Sequence, residues 1–455
     1  MTSHPRRGPE FRFLLGAGIS LLIAVIAGAG AIYYVAWAKP GDSMVAFITL
    51  RPIHVTFAIA WIFLAAIGGI WAFLPRVMDV RIYSRKLANM QWWLFLIAGT
   101  LALSGYLSGN FSGREYLNFT WPASLCIAAG WVCFLLNFFG TLRQSTKPWP
   151  VYVWMWATGL VMFSWAFIEA HLWMLPWFEE APVRDLSVQW KSYGSLTGSW
   201  NMLVYGLSIC LMEHVGGSGA AHSRKAFCFY WLGLTNLLFG YAHHTYHLPQ
   251  SEWIRWMAFA VSMTEWVVLL SLIQDWAQPW SREAWRKTPE HRIPRAFLAA
   301  TSAWIGINLI LALLISIPTF NWFTHGTTIT VAHAMGSTIG INSMILFGAG
   351  FTWMISKTGI RPPTEKKLWL GFGITNLFLL VFFLLLVFAG AVKGLGMVKS
   401  GWSFAQVQDH LEPMMWWGGW AAIGLLAGLL ILIGSWLTLV LAAGKTESTT
   451  SEEQA

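Results

Sequence analysis

Five histidines fall near the same end of long apolar stretches: His54, His171, the adjacent pair His243 and His244, and His333. An imidazole in hydrocarbon costs free energy unless it is paired or ligated, so several at one membrane depth point to bound metal. Neighbouring residues on a helix point about 100° apart. His243 and His244 can therefore both reach an ion near a helix end, with His171 completing a three-imidazole site suited to copper or non-haem iron. His333 and Met335, two residues apart, face nearly opposite ways. One helix can thus offer an axial ligand to a haem on each side, with His54 across the second haem from Met335.

These side chains need long helices to carry them, and the composition supplies them. Apolar residues make up 56% of the 455-residue chain and charged residues only 11%, with 31 Trp and 30 Phe. That composition belongs to an integral membrane protein. About twelve stretches are long enough to span, near 12–37, 51–75, 91–112, 121–142, 151–176, 197–215, 226–247, 254–275, 295–317, 328–355, 368–393 and 413–442. The expectation is an all-α polytopic membrane domain over 1–442, with the polar segment 443–455 as a disordered cytoplasmic tail. Of the 29 Lys and Arg, 21 lie in one alternating set of loops and termini. Both termini are therefore placed in the cytoplasm and the histidine layer towards the outer side. The net charge of +9 follows from this bias, so no nucleic-acid partner is implied. No A-x-A cleavage site follows the first apolar run, which reads as a retained helix. The four cysteines, Cys126, Cys133, Cys210 and Cys228, show no C-x-x-C or C-x-x-C-H spacing, which argues against a c-type haem or cysteine-ligated copper.

The segment RPIHVTFAIAWIFLAAIGGIWAFLP from position 51, SGREYLNFTWP from 112, HHTYHLPQSEWIRWMAFAVSMTE from 243 and THGTTITVAHAMG from 324 together resemble the haem–copper oxidase superfamily, and within it the catalytic subunit of nitric oxide reductases. The resemblance implies the subunit I fold of that superfamily in a prokaryotic inner membrane. It implies that His54 is the ligand of a low-spin haem b that receives electrons, and His333 the ligand of a high-spin haem b3. His171, His243 and His244 would hold the facing non-haem iron or copper. Arg51 and Arg114 suit haem propionates, since a guanidinium pairs bidentately with a carboxylate. Glu115 resembles a glutamate that binds a calcium ion between the haems. Glu265 and Glu179 match acidic residues that would relay protons to a buried site. Glu169 and Glu180 are close neighbours without an assigned role.

Two positions depart from the family pattern. Met335 stands where a second histidine ligand of the low-spin haem is expected; a thioether can ligate haem iron and would raise its potential. Leu175, four residues after His171, stands where the familiar nitric oxide reductases carry a glutamate and the main oxygen reductases a tyrosine. Tyr241, two residues before His243, is the tyrosine nearest the pocket in sequence. The implied reaction is the reduction of two nitric oxide molecules to nitrous oxide and water. Electrons would come from a membrane-anchored cytochrome c or cupredoxin-like subunit. A terminal oxygen reductase and an enzyme that dismutates nitric oxide remain alternatives, as does a haem sensor. A transporter would instead carry polar residues on broken helices at the midplane.

Overall fold

The computed structural model describes residues 8–38, 44–216, 224–267, 271 and 291–452. Among them the regular structure is helical throughout. Twelve long helices follow the chain: α1 (Pro9–Ala36), α2 (Met44–Met78), α3 (Arg85–Leu107), α4 (Trp121–Leu142), α5 (Val151–Glu169), α6 (Pro182–Gly216), α7 (Arg224–Phe239), α8 (Glu252–Met263), α9 (Arg292–Ser316), α10 (Thr328–Thr358), α11 (Pro362–Val398) and α12 (Phe404–Glu452). Each coincides with one expected span. Parts of the eighth span, and of the basic segments at 6–7, 222–225 and 282–290, lie outside the described residues.

Nine of these helices are long and apolar enough to cross a membrane. The remaining three, α6, α7 and α8, fall short because α6 is rich in polar residues and α7 and α8 span 16 and 12 residues. A count of twelve spans is therefore not established by length and composition. The three exceptions are the helices that lead into the candidate chemistry, where polar side chains are needed. At the other end of the chain, α12 runs unbroken through Lys445 to Glu452, where a disordered tail was expected. Once a helix is nucleated, each added residue gains a hydrogen bond, so its backbone can run on past the apolar stretch.

Helices pair closely with their neighbours, α1 with α2, α3 with α4, α5 with α6 and α11 with α12, while α1 also packs on α12, and α10 packs against α2. A fully buried aromatic cluster joins four of them. Trp436 of α12 donates to the Leu14 carbonyl of α1 at 2.7 Å and meets Trp61 of α2 edge-on with centroids 5.2 Å apart. Phe347 and Phe351 of α10 close the cluster at 5.7 and 5.5 Å from the same indole. The fit requires Gly350: a Cβ there would fall 2.2 Å from the Trp436 ring. Trp61 in turn donates to the Ser343 hydroxyl at 2.9 Å. Ser343 closes a π-helical stretch of α10, Gly336–Ser343, and its hydroxyl donates to the Thr338 carbonyl five residues back at 2.8 Å. A wide turn of this kind inserts an extra residue and re-aims the helix on either side, and is frequent beside functional residues. Here it begins directly after Met335.

Because the Trp436 side chain joins its own helix to three others, Trp436→Ala is expected to destabilise the bundle by about 3–5 kcal/mol. The measurement is thermal loss of monodispersity for the purified protein; a midpoint unchanged from wild type would show that the cluster does not hold the helices together.

Candidate metal centre

The histidines lie at one end of the bundle, as a run of side-chain contacts across the chain demonstrates. Arg51 near the start of α2 pairs with Glu115 in the α3–α4 connection. Beside it, Arg114 donates through Nη1 to both oxygens of Asp185 at 3.0 and 2.9 Å and to Gln189 at 3.3 Å, joining the start of α6. Lys191, two residues after Gln189, pairs with Glu169 at the end of α5. Trp190 stacks on His244, and Asn321 after α9 donates to the His243 carbonyl at 3.4 Å. The elements carrying His54, His171, His243 and His244 thus meet in one layer.

His54 sits on α2 against α1. Its Nδ1–H donates to the Ala24 carbonyl at 2.8 Å, which leaves Nε2 as the free electron-pair donor. A metal-ligating histidine ordinarily has its other nitrogen fixed in this way. Gly28 makes the approach possible, since a Cβ there would lie 2.6 Å from the His54 ring. His333 on α10 has its Nδ1 buried without a hydrogen-bond partner. The same ring lies within hydrogen-bonding reach of the Asn308 backbone of α9. Met335 packs against the main core beside the π-helical stretch. This donor set, two histidines and a thioether in apolar surroundings, fits axial ligation of haem.

The histidine pair does not sit on an α-helical end, as the sequence suggested, but on a tight 3₁₀ turn, Gly240–Thr245. The turn is pinned from three sides. The Tyr246 hydroxyl donates to the Ser316 carbonyl at 2.8 Å, Arg255 donates to the Tyr246 carbonyl at 3.0 Å, and Gln250 donates to the Thr245 carbonyl at 3.0 Å. The two Nε2 atoms of His243 and His244 face each other 3.0 Å apart, and the His243 Nδ1 lies 3.3 Å from the Ser262 hydroxyl. That separation is about what two imidazoles side by side on one ion would show at N–metal distances of about 2.0–2.1 Å. His333 is within electrostatic reach of both rings. The pair therefore fits a shared metal ion.

His171 is not brought to that point. Its Nδ1–H donates to the Phe167 carbonyl at 2.7 Å, and its Nε2 lies 2.8 Å from the Ser124 hydroxyl of α4. Among the described residues no three His, Cys, Asp or Glu side chains gather as one metal-binding group. The expected three-imidazole site is therefore seen as a pair plus a third ring turned to Ser124.

Other expected residues also have definite places. Helix α5 ends at Glu169, so Leu175 does not lie one helical turn beyond His171 and is 51% exposed. The chain has already left the helix through the 3₁₀ turn Leu172–Met174. Glu179 ends a four-residue helix and is exposed at the surface. Glu265 is half-buried one residue beyond Thr264, which approaches Asn236 of α7, and it lies within electrostatic reach of Tyr205 on α6. Tyr241 packs against Gly194 of α6. Arg51 and Arg114 each use a single terminal nitrogen in their ion pairs, and the Arg114 guanidinium lies 4.5 Å from the centre of the Trp173 ring. Glu115 is matched by Arg51 rather than held out towards a cation. Beside it, Tyr116 has its phenol pKa pushed up by burial and by the Glu115 charge.

Sequence reasoning did not find Ser124, Ser262, Asp185, Gln189 or Trp190. Lys191 carried a usable signal, as one of only eight basic residues outside the set of 21.

Residues 10–424 match the family model described as cytochrome c and quinol oxidase polypeptide I. The chain is 23% identical over 322 residues to the Cbb3-type cytochrome c oxidase subunit CcoN1 of Stutzerimonas stutzeri, covering 67% of this chain and 65% of that protein. It is 24% identical over 323 residues to a cytochrome c oxidase subunit 1 homolog of Agrobacterium tumefaciens, covering 67% and 58%. It is 22% identical over 414 residues to a nitric oxide reductase subunit of Stutzerimonas stutzeri, covering 85% and 84%. The chain thus spans 58–65% of the length of the first three curated relatives. In fold it is similar to a solved heme-copper terminal oxidase dimer, with a TM-score of 0.67 and 13% identity over 95% of this chain and 84% of that one.

Ser124→Ala removes the hydroxyl that holds the His171 Nε2, and is expected to leave non-haem metal per haem at or above the wild-type level, whereas His244→Ala is expected to abolish it. Elemental analysis of the purified proteins checks this; metal retained in His244→Ala would exclude the pair as its ligands.

Proposed function

The chain belongs to the cytochrome c and quinol oxidase polypeptide I family, and on that premise we propose that it is the catalytic subunit of a nitric oxide reductase. It would join two nitric oxide molecules into nitrous oxide and water with two electrons and two protons. The observation that carries this reading is the match to a nitric oxide reductase subunit over 85% of this chain and 84% of that protein; an oxidase subunit 1 homolog of Azorhizobium caulinodans is matched over as much of this chain, 86%, but over only 73% of its own length. The outward-facing Leu175 lacks both the glutamate of the familiar nitric oxide reductases and the tyrosine of the main oxygen reductases, and so favours neither reading.

His54 and Met335 would hold a low-spin haem b, and His333 a high-spin haem b3. His243 and His244 would hold the non-haem iron or copper, joined by His171 once it releases Ser124. The bound groups supply redox change and a binding place for the gas. The protein supplies position, polarity and protons. His54, tied to Ala24, keeps one tautomer and one ring plane. Glu265, half-buried and near Tyr205, is suited to hand a proton inwards, while the exposed Glu179 is suited to take one from solvent. Arg51 and Arg114 would anchor the haem propionates and, with Glu115, set the charge over the haems. A calcium ion at Glu115 would have to compete with Arg51. Electrons would enter from a cytochrome c or cupredoxin-like subunit on the outer side, with both termini inside.

Oxygen reduction is the second reading, favoured by the half-buried Tyr241 two residues from His243, which could supply the phenol that such chemistry uses. Anaerobic turnover of nitric oxide with a reduced mediator, followed by mass spectrometry of the gas, separates the readings. Nitrous oxide formed only with reductant is the expected result. Nitrogen and oxygen formed without reductant would replace the reading with dismutation, and no nitric oxide consumption would move it to oxygen.

Met335→His offers the low-spin haem a second imidazole in place of a thioether, and its reduction potential is expected to fall. Redox titration followed by optical spectroscopy measures it; an unchanged potential and spectrum would show that Met335 is not an axial ligand.

A further inference from the structure

The ligands of the candidate metal come from two separate carriers, the end of α5 with His171 and the 3₁₀ turn with His243 and His244. A single turn of α6 touches both. Lys191 places its ammonium within hydrogen-bonding distance of both oxygens of Glu169, the last residue of α5 and two before His171. The two side chains are only 23% and 17% exposed, and the Trp165 ring lies 5.8 Å from the ammonium. Trp190 lies flat on His244, with centroids 5.2 Å apart and planes 7° from parallel. Three residues after Lys191, Gly194 receives Tyr241, whose Cβ would be 2.6 Å from any Cβ added there.

We infer that the α6 segment Trp190–Gly194 is the positioning element of the metal centre, with the Lys191–Glu169 ion pair tying its two carriers together. The inference rests on the reading that His243, His244 and His171 hold the ion. A salt bridge this shielded is costly to break from one side, because the remaining charge is left without a partner. It therefore fixes the end of α5 relative to α6. The flat contact of Trp190 fixes the plane of the His244 ring, and the close approach at Gly194 fixes how deeply the turn sits against α6. Lys191 touches none of the candidate ligands itself and acts through Glu169 and its own helix. An ion pair that merely satisfied a buried lysine would leave the metal indifferent to its loss.

The test compares Lys191→Met, Lys191→Arg and Glu169→Gln in the purified complex. It measures haem content, non-haem metal affinity by chelator competition, and the optical and electron paramagnetic resonance spectra of the high-spin haem. Both neutralising variants are expected to keep their haem and to bind the metal roughly 10-fold or more weakly, the scale on which outer supports of metal ligands act. Lys191→Arg, which preserves the pair, is expected to restore the affinity. Wild-type affinity and spectra in Lys191→Met or in Glu169→Gln would overturn the inference. Loss of haem together with metal in both would overturn it too, by assigning the pair to folding. A wild-type protein without non-haem metal would instead refute the underlying reading of the histidines, which separates the two failures.

Discussion

A polar side chain carried into hydrocarbon has to find its partner inside the protein, and the histidine-bearing end of this bundle is arranged around that demand. Arg51 meets Glu115, Arg114 meets Asp185, Lys191 meets Glu169 and His171 meets Ser124, each pair joining different elements. Every such pair satisfies two groups at once and also locates one element against another. The same contacts that make the layer tolerable are the ones that give it shape.

The aromatic cluster is built on a different principle. Trp436, Trp61, Phe347 and Phe351 lock α1, α2, α10 and α12 by edge-on packing and two indole hydrogen bonds. Close packing of this kind resists sliding, because any shift loses many contacts together. The rigid aromatic core and the π-helical stretch are linked by the Trp61–Ser343 hydrogen bond. The aim of His333 and Met335, just before that stretch, is therefore tied to the packing of helices that carry no ligand themselves.

The three helices that are not both long and apolar enough to span, α6, α7 and α8, are the ones that carry Lys191, lead into the histidine turn and approach Glu265. Tight turns and short helices also suit the site. A 3₁₀ turn braced by Tyr246, Arg255 and Gln250 can set two adjacent imidazoles face to face, which a regular α-helical end would not require of them.

The amino-acid sequence by itself determined that the chain is a series of apolar helices, that histidines fall near the ends of several of them, and where the family pattern is broken at Met335 and Leu175. Those properties are local: apolar length and residue order are written along the chain and need no partner to be read. Only the tertiary structure decided which polar groups meet. Arg114 lies 71 residues from Asp185 and His171 lies 47 from Ser124, and nothing in either neighbourhood announces the other. It also decided that Leu175 faces outwards, because α5 stops at Glu169 and a residue four positions after His171 no longer lies one helical turn away. Spacing converts to direction only while the helix lasts, and where a helix ends depends on the neighbours against which it packs.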